Sequence, residues 1–91
     1  MDKSISSPFV VGNKVLIRTV TMIDLGVVIG ESEHFVHLDD GGWVADTGRF
    51  GTALVTGKVS EFERVPGPFS VAKGSIVDVF SWGHDIPKAT I

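Results

Sequence analysis

Ninety-one residues, 43% of them hydrophobic, with no cysteine and a net charge of −3, describe one small domain more apolar than its size requires. The missing cysteines exclude disulfides and thiolate metal sites. Eight scattered basic residues against eleven acidic ones exclude the clustered basic face that duplex nucleic acid demands.

A mean hydropathy of +0.28 in so small a chain predicts apolar surface covered by another copy, hence a homo-oligomer. No apolar run approaches the roughly 18–20 residues that span a bilayer, so no membrane partner is expected. The opening MDKSISSPFVVGN lacks the apolar core and cleavage site of a signal peptide, which makes the cytoplasm the expected location.

Residues 1–12 are Ser-rich without periodicity and read as a flexible arm, followed by one β-rich domain over 13–83 and a C-terminal tail over 84–91. KVLIRTVT (14–21) is dense in β-branched residues and predicts a strand. LGVVIGE (25–31) predicts a second, after the short MIDL turn region. EHFVHLD (33–39) predicts a third, with Val36 and Leu38 on one side and Phe35 and His37 on the other. DDGG (39–42) then signals a turn, and WVAD (43–46) a fourth short strand.

TGRFGTALVTG (47–57) is ambiguous: Thr47 can cap a short helix ending at Gly57, while Gly48 and Gly51 each weaken it by about 1 kcal/mol. KVSEFERV (58–65) alternates, PGP (66–68) stops it, and SIVDVFSW (75–82) reads as the closing strand. The expected fold is mainly β: a small antiparallel barrel or sandwich of five to six strands with one short helical turn.

The catalytic constellations are weak. His34 and His37 sit three apart on a predicted strand, so they point to opposite faces and cannot share a metal unless the strand is bulged. The Asp39–Asp40 pair before two glycines reads as turn chemistry. No phosphate-cradling loop or nucleophile elbow occurs, and no histidine is placed to activate a serine or threonine. No catalytic residue, metal or cofactor is therefore expected, and the protein reads as a non-enzyme.

What remains is a binding constellation. Arg18 lies inside an apolar strand, where its guanidinium either snorkels outward or faces a pocket. Trp43, Arg49 and Phe50 flank a Thr-Gly turn, where they form either a stacking platform with a cationic donor or a core tryptophan, an exposed arginine and a helix anchor. Thr47 and Thr52 add hydroxyls. The candidate ligand-binding set is Arg18, Trp43, Thr47, Arg49 and Phe50. Trp82 reads as core or subunit interface.

The run VLIRT, GVVIG, VHLDDGGW, a Thr-Gly, then GKVSEFE and SIVDVF resembles a family of small tailed-phage proteins of unassigned activity over roughly residues 14–80. Members carry Val-Arg-Thr on strand one, Gly-Val-x-x-Gly on strand two and a strand-three Val-x-Leu-x-Asp. The family pairs arginines with two aromatics at the third-strand exit; this chain has Gly41, Gly42 and Trp43 there.

The resemblance implies a viral protein working in the cytoplasm of an infected bacterial host. With the binding constellation it leads to the first expectation: an oligomeric phage accessory protein that sequesters a small anionic, nucleotide-derived ligand such as a host immune signal, an anti-defence sponge. The alternative is a protein–protein interaction or structural phage protein, which inhibits a host protein or joins the virion. A small hydrolase of the same signal, with Asp39, Asp40 or His37 in acid–base roles, is the third.

Overall fold

Six antiparallel strands form one sheet in the computed structural model, which describes residues 7–91. The strands are β1 (Lys14–Thr19), β2 (Ile23–Glu31), β3 (Phe35–Asp46), β4 (Glu61–Arg64), β5 (Phe69–Ala72) and β6 (Ile76–Ser81), with one helix, α1 (Phe50–Thr56). The order is β4-β3-β2-β1-β6, and β5 lies beside β3 next to β4. The sheet does not close, so the fold is mainly β as expected and the architecture an open one. The first part of the expected N-terminal arm lies outside the described residues. Phe9, within its second part, packs against the sheet.

The predicted DDGG turn is not a turn. β3 runs unbroken from Phe35 to Asp46 and absorbs both the third and the fourth expected strands. Leu25 pairs with Gly42 and Val27 with Asp39, so Asp40 and Gly41 together oppose the single residue Gly26. That is a β-bulge, and Asp40 takes the positive φ of 53° it needs.

The bulge has a packing consequence. Residues two apart on a strand share a face, so Val36, Leu38 and Val44 would all face one way in a regular strand. Instead Val36 and Leu38 join a core with Val15, Ile17, Val28 and Val71, while Val44 joins a second core with Leu16, Leu25, Phe62, Trp82 and Ile86. The extra residue flips the parity of β3 and lets one strand serve both faces. Both faces of β1 are covered as well, with Val15, Leu16 and Ile17 consecutively buried.

α1 is too short to be stable alone; its contacts hold it. Phe50, Ala53 and Leu54 follow helical spacing and pack on the second core. Its N-cap is Arg49 rather than the expected Thr47, whose hydroxyl donates instead to the Gly48 carbonyl. It ends at Gly57, with φ 75° and its N–H bonded to the Ala53 carbonyl.

Two other expectations change. The strand predicted over 58–65 is confined to Glu61–Arg64, and the unforeseen β5 follows the PGP stop. Residues 84–91, expected as a tail, strap the second core. Ile86 is buried, the Ile91 N–H and carbonyl exchange hydrogen bonds with Phe62, and Lys14 Nζ donates to the His84 carbonyl. Trp82 is core, 2% exposed.

Asp40 ties this strap to the bulge. Lys88 Nζ donates to it at 2.9 Å, and Arg64 pairs with it while also donating to the Pro87 carbonyl. The Lys88 and Arg64 hydrogen bonds hold the Asp40 carboxyl below its ordinary value, as Arg18 does for Asp78. A carboxyl depressed in the folded state adds stability above its unfolded pKa of about 3.9 and loses it as pH falls through the folded value. Asp40→Asn is expected to lower stability at neutral pH, with the gap to the wild type narrowing only as pH drops below about 4 and closing once it is below the folded value. Urea denaturation at several pH values checks this.

Candidate functional site

Two cavities divide four of the five expected ligand residues between them. The first, about 320 Å³, lies where the β1–β2 turn meets the end of β3, and Arg18, Val20, Met22, Ile23, Trp43 and Val44 line it. The second, about 290 Å³, lies between α1 and the segment after it, lined by Thr47, Arg49, Thr52, Thr56, Lys58 and Ser60 over a floor of Ala53 and Val59. Arg18 and Trp43 therefore share one site, and Thr47 and Arg49 share another. Phe50 lines neither. It is half-buried, edge-to-face with Phe80 at 5.2 Å, with the Arg18 guanidinium 4.5 Å above its ring.

Arg18 is already engaged. It faces Asp78 across the β1–β6 register, and Nε donates to Oδ1 at 2.8 Å while a terminal nitrogen pairs with Oδ2. This bidentate fork leaves a neutral pair over two phenylalanine rings. An anion entering the first cavity would compete with Asp78.

The second cavity is different. The Arg49 and Lys58 side chains are exposed, and neither has a hydrogen-bond or ion-pair partner among the described residues; the Lys58 backbone N–H donates to the Thr56 hydroxyl. Arg49, Thr52, Ala53 and Thr56 recur at helical spacing, which sets them on one face of α1. The chain reverses at Gly57 and brings Lys58 and Ser60 alongside. The Thr56 hydroxyl donates to the Thr52 carbonyl, while the Thr52 and Ser60 hydroxyls have no partner among the described residues. No carboxylate lines the wall; neighbouring Asp46 accepts from the Gly48 N–H. Two cations and several hydroxyls on one concave wall can hold an anion through charge-assisted hydrogen bonds.

Lys58 and Ser60 escaped the sequence reading because KVSEFERV looks like one alternating strand. The signal available was Gly57: a glycine closing a helix turns the next three residues back along it.

A third cluster was also missed. His37 Nδ1 lies 2.7 Å from the Ser70 hydroxyl and its Nε2 lies 3.2 Å from that of Ser32. From the sequence no histidine is expected to be placed to activate a serine or threonine, yet β5, absent from the predicted elements, pairs His37 with Ser70 and sets its ring against that hydroxyl. Ser70 and Ser32 are exposed, and neither cavity includes them. The chain of hydrogen bonds ties β5 and the β2–β3 turn to β3. His34 lies in that turn, exposed and outside β3.

No family model, curated protein or solved structure matches the chain. Among the described residues no helix is long and apolar enough to cross a membrane.

Proposed function

We propose that the protein binds a small anionic ligand, without converting it, in the cavity along α1. The observation that carries this reading is the pairing of Arg49 with Lys58 on a hydroxyl-rich wall that no carboxylate lines. Unpaired cations on a concave surface attract phosphate or carboxylate, and a wall of threonine and serine hydroxyls can orient it. The base-stacking half of the expected site is elsewhere, since Trp43 lines the other cavity. Recognition in the α1 cavity therefore centres on the anionic group.

The resemblance to small tailed-phage proteins supports the narrower reading, a phage accessory protein that sequesters a nucleotide-derived host signal. Sequestration needs affinity and no chemistry, which two cations and their hydroxyl neighbours supply.

Titration calorimetry with inorganic phosphate, pyrophosphate and a panel of linear and cyclic nucleotides tests both levels. Binding that follows the phosphate groups, with the ligand recovered unchanged after denaturation, is the expected result. No binding at micromolar concentrations across the panel sinks the reading, and recovered hydrolysis products would replace it with the hydrolase.

A further inference from the structure

The first cavity has a surrounding of opposite sign. Trp43 is 36% exposed, and register places Asp24 of β2 and Glu63 of β4 directly opposite it, one on each side. Directly opposed residues of antiparallel strands share a face. Two pairs further along, past Val44 and Phe62, Asp46 and Glu61 oppose each other, a like-charge pair that is unfavourable on its own. None of these four carboxylates has an ion-pair partner among the described residues. The one charged residue lining the groove, Arg18, is neutralised by Asp78. The groove itself is open and mixed: Thr19 and Thr21 alternate with Val20 and Met22 along its wall, and Val20 is 76% and Met22 42% exposed beside Trp43.

We propose that this groove and its acidic flank dock a basic segment of a partner protein, an apolar side chain entering beside Trp43 while lysines or arginines meet Asp24 and Glu63. Each part of the patch selects for that occupant. The exposed Val20, Met22 and Trp43 give the apolar contact area, the indole offers its face to a cation, and the carboxylates favour a positive partner and repel a negative one. Asp24 is partly buried, which pushes its carboxyl above the ordinary value; an incoming cation would relieve that desolvated charge. A second copy of this chain fits poorly, because a two-fold contact would set the same carboxylates against each other.

The test uses two synthetic peptides on the intact protein, one alternating leucine with lysine and one alternating leucine with glutamate. Binding is read by calorimetry and by acrylamide quenching of tryptophan. Trp82 is 2% exposed, so quenching reports on Trp43. The Leu/Lys peptide should bind, protect Trp43 and weaken with added salt, and the Leu/Glu peptide should not bind. Asp24→Asn with Glu63→Gln should weaken the Leu/Lys peptide about tenfold. Glu63→Gln alone changes an exposed side chain, so its smaller loss is readable without disturbing the fold. Arg49→Ala with Lys58→Ala should leave this peptide bound, which separates the groove from the α1 cavity.

Equal binding of both peptides, an unchanged affinity in the Asp24/Glu63 variant, or a Trp43 that stays quenchable would each overturn the proposal. Protection of Trp43 that rises with protein concentration alone would assign the groove to a second copy instead.

Discussion

Gly41→Ala is expected to cost about 3 kcal/mol or more, a large fraction of the total stability of a domain of this size. A Cβ at Gly41 would sit 1.8 Å from the Leu25 carbonyl oxygen and 2.6 Å from the Gly26 Cα. Both are backbone atoms, so no side-chain rotation relieves the clash. The only relief is to move β2 away from β3, which breaks the ladder between Leu25 and Gly42 and loosens both cores at once. Gly42 is pinched on the other side, where a Cβ would meet the Glu63 carbonyl at 2.1 Å. β3 thus passes between two neighbours at the one point where it changes face, and only glycine admits that approach. Gly30→Ala is the control, since nothing lies within 4 Å of a Cβ there; it should stay within about 1 kcal/mol of wild type. Denaturant midpoints for the two variants decide the matter. A Gly41→Ala protein as stable as Gly30→Ala would mean the bulge is free to relax and does not enforce the crossover.

The same four residues, DDGG, show what was legible in the sequence and what was not. Asp-Gly and Gly-Gly do announce a special backbone, and the backbone is special: Asp40 sits at positive φ. A hairpin turn and an interior bulge use the same residue chemistry. What separates them is whether the flanking strands pair with each other or with third parties, which is a long-range fact. β1, β2 and β6 were legible because their apolar spacing is local and strong, whereas Gly48 and Gly51 make α1 ambiguous in the sequence, and it takes its cap at Arg49. β5 was not, because FSVA after two prolines has only four residues, and its pairing with Phe35–Leu38 supplies the order that its own sequence lacks. Missing β5 also hid the His37–Ser70 contact. The candidate site suffered the same way. Trp43, Arg49 and Phe50 lie close in sequence, yet Trp43 is on a strand, Arg49 caps a helix and Phe50 turns inward to Phe80. Proximity in sequence stood in for convergence in space, and the bulge and the helix start separated them.

Replacing both Arg49 and Lys58 by alanine is expected to weaken binding of a phosphate-bearing ligand by about a hundredfold or more. A hydrogen bond to a charged partner contributes about 1.5–3 kcal/mol, so each cation alone should account for a loss of about tenfold or somewhat more, at about 1.4 kcal/mol per tenfold. The fold should not respond, because both side chains are exposed and without partners among the described residues. Arg49→Lys should recover only part of the affinity, since a lysine keeps the charge and loses the planar fork. Raising the salt should weaken the wild type more steeply than either single variant, as each removed cation takes away one screened contact. Trp43→Ala makes the comparison decisive. Trp43 and Arg49 line different cavities, so that variant should bind the anion as wild type does while losing the basic peptide. If Trp43→Ala instead abolishes anion binding and Arg49→Ala with Lys58→Ala does not, the ligand belongs in the first cavity against Arg18. It must then displace Asp78 to enter, and the unpaired cations beside α1 are only solvated surface.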